Sequence, residues 1–93
     1  MDVKHEAHKG KGIFYIEDNG ERIATLTYYF ENEKKFIIEH TVVDVAYEGK
    51  GLGKALVNAA AIFAKENNFK IVPVCLYAKK VMERSDAYKD VLY

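Results

Sequence analysis

Residues 42 to 64 read VVDVAYEGKGLGKALVNAAAIFA and change character half-way along. The first residues, up to Val45, have the β-branched composition of a buried strand. From Gly51 to Asn67 the apolar residues instead recur at helical spacing, which predicts an alanine-rich helix lying flat against a sheet. Between them lies the glycine loop, Glu48-Gly49-Lys50-Gly51-Leu52-Gly53. A strand, a glycine loop and a helix in this order indicate an α/β fold.

The chain before the glycine loop has the pattern of successive antiparallel strands. Strands are predicted before Lys9 and at Gly12–Glu17, Arg22–Phe30 and Phe36–Asp44. Asp18-Asn19-Gly20 favours a hairpin turn because Asn and Gly tolerate positive φ, and Glu31–Lys35 is a second polar turn. The first half of the sheet is therefore expected to be antiparallel.

The chain after the long helix returns to the sheet. Phe69–Cys75 is predicted as a short buried strand in which Pro73 marks a bulge, an edge or a strand end. The helix allows a right-handed crossover, so this strand can lie parallel to Phe36–Asp44. Ala78–Arg84 and Asp86–Leu92 are predicted as short helices. We expect a mixed α/β (α+β) sheet in one domain, residues 1–93.

The glycine loop has the chemistry of an anion site. The first N–H groups of a helix have no internal partner, and the helix dipole adds positive potential there. Glycines let phosphate oxygens approach the backbone, and Lys50 and Lys54 add charge. Glu48 and Ala55 exclude a P-loop, and Lys54 excludes the dinucleotide fingerprint. A glycine-rich turn that binds no ligand is the alternative.

Composition excludes several classes of function. The chain carries 14 basic and 14 acidic residues, which gives no general attraction to nucleic acid or to a membrane surface. It has no apolar segment long enough to span a bilayer and no secretory signal at the N-terminus. Cys75 is the single cysteine and cannot form an internal disulfide. We expect a cytoplasmic monomer without a metal site.

At this point the sequence resembles a known family. The glycine loop is similar to the Arg/Gln-x-x-Gly-x-Gly/Ala signature of the GNAT acetyltransferases, although Glu48 stands where Arg or Gln is usual. The chain resembles more narrowly the small GNAT-like proteins of the YjdJ type. The segments that carry this resemblance are Gly20–Tyr28, Glu39-His40-Thr41, Gly49–Leu56 and Val72–Cys75 through Tyr88–Val91.

The resemblance implies a GNAT fold in which two adjacent parallel strands splay apart around acetyl-coenzyme A (acetyl-CoA). The splayed strands would be Phe36–Val45 and Phe69–Cys75. It implies that the pyrophosphate lies on the glycine loop and that the pantetheine arm follows the preceding strand. The residues expected to bind the coenzyme are Val43, Val45, Glu48, Gly49, Lys50, Gly51, Leu52, Gly53 and Lys54.

The same resemblance places His40 and Cys75 near the acetyl group. An imidazole can accept a proton near neutral pH, so His40 is a candidate general base. Strand alternation puts it on one face with Phe36, Ile38 and Val42, which also suits a hydrogen-bonded core histidine. Cys75 can act as an acyl relay, as a proton donor to the coenzyme thiolate, or as an inert buried thiol.

Two classes of function remain open, beside a third reading in which the chain is a small α/β interaction domain without a coenzyme. The first is an acetyl-CoA-dependent N-acetyltransferase acting on an amine that the sequence does not name, on a small molecule or a protein. The second is a module that binds CoA or acyl-CoA without efficient transfer. The chain lacks the additional elements that wall the acceptor site in longer GNAT enzymes, so its acceptor side is expected to be open.

Overall fold

The computed structural model describes all 93 residues. Its strands are β1 (Lys4–His8), β2 (Lys11–Asp18), β3 (Glu21–Asn32), β4 (Lys35–Val43) and β5 (Lys70–Pro73), and its helices are α1 (Leu52–Asn67) and α2 (Leu76–Glu83). The five strands form one sheet in chain order. β1 to β4 pair antiparallel, and α1 leads the chain back so that β5 pairs parallel to β4. The predicted mixed α/β sheet is confirmed.

Both helices pack on the same face of this sheet. Seventeen buried residues form one apolar core, to which strands, α1 and α2 all contribute. On α1 the buried residues are Gly53, Leu56, Val57, Ala60 and Ala64, and the two alanines let the helix lie close to the strands. Each large apolar side chain buried here contributes about 1.5–3 kcal/mol of transfer free energy. The opposite face of the sheet carries no helix.

A β-bulge in β4 changes which face His40 occupies. His40 pairs with Thr27 and Ile38 pairs with Tyr28, so Glu39 is an extra residue between two consecutive residues of β3. Ile38 points into the core, whereas His40 lies on the uncovered face and is exposed. The prediction that His40 shares a face with Phe36 and Ile38 is therefore wrong, because the bulge resets the alternation.

β4 and β5 separate immediately after this bulge. Their parallel pairing runs from Lys35 with Lys70 to Ile38 with Pro73 and ends there. The carbonyl of Ile38 accepts the N–H groups of both Val74 and Cys75, each at 3.1 Å, which closes the apex of the gap. Pro73, which has no N–H to donate, stands at the strand end. The splayed pair of parallel strands is thus present.

The C-terminal segment differs from the prediction. Only Asp86–Tyr88 forms a turn of 3-10 helix, so the helix expected at Asp86–Leu92 is wrong. The free edge of β5 captures the chain instead: Ile71 donates its N–H to Val91 and accepts one from Tyr93, at 2.7 and 2.9 Å. Neither α1 nor α2 is long and apolar enough to cross a lipid bilayer.

Candidate functional site

A cleft of about 410 Å³ opens where β4 and β5 separate. It is bounded by the start of α1 on one side and by the exposed Tyr77 of α2 on the other. The residues that line it are Thr41, Val43, Tyr47, Glu48, Gly49, Gly51, Leu52, Gly53 and Tyr77. The cleft therefore joins the glycine loop to the gap between the two strands.

Six consecutive amides at this cleft have no partner in the protein. The first N–H of α1 that donates to the backbone is that of Ala55, to Gly51 at 3.0 Å. No backbone or side-chain acceptor takes the N–H groups of residues 49 to 54, and Gly51 as the N-cap offers no side chain. These donors, with the positive end of the helix dipole, form a main-chain site for an anion.

The glycines of the loop serve two different needs. Gly49 and Gly51 have φ of +80° and +77°, in the left-handed region, while a Cβ on either would meet nothing within 4 Å. These two positions therefore require glycine for its backbone conformation. Gly53 has an ordinary helical backbone, but a Cβ there would stand 2.8 Å from the hydroxyl oxygen of Tyr77. Its need is steric.

Glu48 takes part in this site differently from the other loop residues. Its N–H donates to the carbonyl of Val45 at 3.3 Å, closing the 3-10 turn Val45–Tyr47. The amide of Glu48 is therefore occupied, and the free donors begin one residue later. Tyr47 anchors the same turn to the hairpin through a hydrogen bond from its hydroxyl to Asp18, and that bond raises the pKa of Tyr47.

β4 also turns two amides toward the gap, of which that of Thr41 is directed at Sγ of Cys75. Asp44 donates its N–H to Ile23 on β3 at 2.8 Å. Because N–H groups alternate between the two sides of a strand, those of Thr41 and Val43 point away from β3, toward the side that β5 has left. Val45 lies outside the cleft, with its side chain 80% exposed.

Cys75 lies at the apex of the gap, as the N-cap of α2. Its Sγ is 3.6 Å from the hydroxyl oxygen of Thr41 on β4. Burial raises the pKa of the Cys75 thiol. Hydrogen bonds from the Ala78 N–H, the Thr41 hydroxyl and the N–H groups of Tyr77 and Thr41 outweigh that effect, so the pKa lies below its ordinary value. Burial, followed by the neighbouring Tyr88 and Cys75, raises the pKa of Tyr77, which keeps its hydroxyl a proton donor.

The structure brings together most of the predicted residues but not all of them. Glu48, Gly49, Gly51, Leu52, Gly53 and Val43 line one cleft, and Lys50 contributes an amide to its loop. Lys54 directs its side chain to a neighbouring cleft. His40 stands on the uncovered face, one residue from Thr41. Three further residues line the cleft that the sequence did not predict to bind the coenzyme: Thr41, Tyr47 and Tyr77. For Thr41 the reason is the bulge that turns it inward, which no pattern in the sequence reveals.

With this fold and this cleft established, the family can be assigned. A sequence profile of the GCN5-related N-acetyl-transferase family matches residues 13–91. The chain belongs to that family, whose chemistry is acetyl transfer, and the GNAT resemblance is confirmed. The narrower resemblance to the YjdJ type stays a prediction.

Particular relatives agree with this assignment. Protein NATD1 of Danio rerio is 32% identical over 86 residues, which span 91% of this chain and 76% of that protein. The solution structure of a GCN5-like protein from Staphylococcus aureus is 36% identical, with a TM-score of 0.76 over 99% of this chain and 87% of that one. A GNAT acetyltransferase of Elizabethkingia anophelis, solved with acetyl-CoA bound, is 20% identical with a TM-score of 0.61 over 69% and 42% and shares the fold.

Proposed function

We propose that the chain is an acetyl-CoA-dependent N-acetyltransferase whose glycine loop holds the coenzyme's pyrophosphate. The observation that carries this proposal is the run of free N–H groups at residues 49 to 54, at the mouth of the gap between β4 and β5. A diphosphate is an anion that can accept several such donors at once, and the left-handed Gly49 and Gly51 leave it open space. Membership of the family supports the same ligand.

The pantetheine arm of the coenzyme would lie along β4. The N–H of Val43 faces the gap and can donate to an amide oxygen of the arm, whereas the N–H of Thr41 is directed at Sγ of Cys75. The acetyl end would then reach the apex near Thr41 and Cys75. Acetyl-CoA supplies an acetyl group activated as a thioester, and this protein's residues hold it beside an incoming amine.

His40 is positioned to act from the uncovered face of the sheet. The helices occupy the other face, so an acceptor amine can reach the apex only from the side on which His40 is exposed. There its imidazole can accept the proton that the amine loses. Cys75 lies on the apex itself, where its thiol can relay the acetyl group or supply a proton to the departing sulfur.

A second function is favoured by one observation. The uncovered sheet face provides no wall around an acceptor, so the domain could bind CoA or acyl-CoA without efficient transfer. The two functions share the coenzyme site and differ only in turnover. An open acceptor side also suits a protein substrate better than a small amine.

Calorimetric titration with CoA and acetyl-CoA tests the coenzyme site. Gly51→Asp, which adds a carboxylate among the free amides, should weaken binding at least tenfold. Gly20→Asp is the matched control, since Gly20 has a similar left-handed φ, +80° against +77° for Gly51, and equally open space but lies in the β2–β3 turn. Equal affinity of the two variants, or no binding by the wild type, would contradict the proposal.

Turnover separates the transferase from the binding module. Thiol release from acetyl-CoA should be measured with a panel of small amines and peptides with free N-termini or lysines. His40→Ala should lower the rate with every acceptor while leaving CoA affinity unchanged. A protein that binds acetyl-CoA and releases no thiol with any acceptor is the module. An acetyl adduct in the intact mass that disappears in Cys75→Ala supports the relay, and direct transfer predicts no adduct.

A further inference from the structure

A second cleft of about 490 Å³ adjoins the glycine loop, between α1 and the chain that follows α2. Two cationic residues line it, Lys54 from α1 and Arg84 from the end of α2, and no carboxylate does. The full lining is Lys54, Asn58, Val81, Arg84, Ser85, Ala87 and Tyr88. Neither Lys54 nor Arg84 forms an ion pair within the protein. The cleft therefore presents two uncompensated positive charges.

Its uncharged polar groups are arranged as donors. The hydroxyl of Tyr88 donates to Oδ1 of Asn58, which leaves the amide Nδ2 of Asn58 free to donate. The Oγ of Ser85 accepts the N–H of Ala87 at 3.1 Å, so its hydroxyl proton is available. Two cations, an amide and a hydroxyl, all donating, are the partners that a phosphate monoester requires.

Residue 54 connects this cleft to the first. Gly53 lines the cleft of the glycine loop, and the next residue, Lys54, lines the second. In a helix consecutive residues point about 100° apart and rise 1.5 Å, so the two clefts open from adjacent sides of the same turn. The backbone N–H of Lys54 belongs to the free amides of the loop, while the residue also lines the second cleft, within reach of its flexible ammonium group.

We propose that this second cleft binds the 3′-phosphate of coenzyme A and makes the protein select the 3′-phosphorylated coenzyme over dephospho-CoA. The inference rests on the proposed function, because it requires the pyrophosphate to lie on residues 49 to 54. One ribose separates the pyrophosphate of the coenzyme from its 3′-phosphate, which matches two clefts that share one helical turn. Val81 and Ala87 provide apolar surface beside the phosphate for the adenosine.

Parallel titrations with CoA and with dephospho-CoA test this selection. The wild type should bind CoA about tenfold more tightly, as expected for one or two charge-assisted hydrogen bonds. Lys54→Gln and Arg84→Gln should each remove most of that preference by weakening CoA binding alone. Lys65→Gln, a lysine of the same helix that lies outside both clefts, is the matched control and should keep the tenfold preference.

The outcomes distinguish a failure of the 3′-phosphate site from a failure of the proposed coenzyme binding. Equal affinity of the wild type for the two coenzymes overturns the inference and leaves the coenzyme site intact. A loss in Lys54→Gln and Arg84→Gln that is the same for both coenzymes also overturns it, because the cations would then serve the pyrophosphate. No binding of either coenzyme overturns the proposed function itself. A preference that declines with added salt in the wild type supports the charge-based recognition.

Discussion

Tyr77 lies across the first turn of α1 so closely that a Cβ on Gly53 would stand 2.8 Å from its hydroxyl oxygen and 2.9 Å from its ring. Tyr77 is the second residue of α2, so this contact joins the first turns of the two helices at the edge of the cleft. A tighter contact of the same kind occurs in the sheet, where a Cβ on Gly12 would stand 2.2 Å from the ring of Tyr28. The two tyrosines differ in freedom: Tyr77 is 42% exposed and Tyr28 is 1% exposed.

Gly53→Ala should therefore change the binding site more than the stability. The exposed ring of Tyr77 can swing aside, and alanine gains about 1 kcal/mol in helix propensity over glycine. We expect the free energy of unfolding, from urea denaturation, to change by less than about 1 kcal/mol. CoA affinity should fall, since Tyr77 leaves the cleft. A loss of several kcal/mol would mean that Tyr77 is rigidly held.

Gly12→Ala should be severely destabilising for the opposite reason. The ring of Tyr28 is enclosed by the core and has no direction in which to move. We expect a loss of about 3 kcal/mol in the free energy of unfolding, at the upper end for an overpacked core. Urea denaturation of Gly12→Ala and Gly53→Ala side by side gives the comparison, and similar losses in both would refute this account.

The stability of variants at Gly51 should depend on how well the new residue tolerates positive φ and not on the size of its side chain. Its φ of +77° costs an ordinary L-residue about 1–2 kcal/mol, while its surroundings are empty. Gly51→Ala should lose stability by that amount, and Gly51→Asn should lose less, because Asn tolerates the left-handed region better. Thermal melts of Gly51→Ala and Gly51→Asn measure the two losses of stability. A larger loss for the bulkier Asn would point to a steric restriction instead.

Thr41→Val should raise the pKa of Cys75. The Thr41 hydroxyl is one of the donors that stabilise the thiolate, and valine keeps the shape without the donor. Since Cys75 is the single cysteine, the rate of alkylation by iodoacetamide against pH reports its ionisation directly. The alkylation profile should shift to higher pH in Thr41→Val. Thr25→Val, on the uncovered face of β3, is the control and should leave the profile where it is.

His5 should make stability depend on pH. Its Nε2 lies 2.6 Å from the Tyr28 hydroxyl and its ring stacks on Phe14 with centroids 4.0 Å apart. His5 is exposed on its outer side, but contact with Phe14 and Tyr28 removes part of its hydration and lowers its pKa. The folded protein therefore favours the neutral ring, and the unfolded chain binds the proton more readily. Stability should therefore fall as the pH drops through the ordinary histidine pKa of about 6.5.

Urea midpoints measured on both sides of that pH provide the test. The wild type should lose stability on acidification toward the lowered pKa of His5. His5→Gln should show a shallower dependence while the other two histidines remain. An equal slope in both proteins would assign the effect to another group.

Much of the chain was predictable from local pattern. Asn19 and Gly20 adopt the positive φ of a hairpin turn, as their chemistry requires. The helix after the glycine loop runs from Leu52 to Asn67, where the apolar spacing predicts it. The C-terminal residues after Tyr88 were misjudged, because the same short sequence can form a helix or pair with a free strand edge. In the folded protein these residues pair with Ile71 at the free edge of β5.

The order of strands and helix, the left-handed glycines and the amides at the start of α1 follow from residues close together in the chain. Hydrophobic periodicity and φ preferences act over a few residues, so they can be recognised in the sequence before the fold is known. The inward turn of Thr41, the outward turn of His40 and the lowered pKa of Cys75 depend on a bulge and on contacts more than thirty residues apart in sequence. Those arise only when β4, β5 and α2 meet, because a register shift and a hydrogen-bond partner belong to pairs of segments and not to either one.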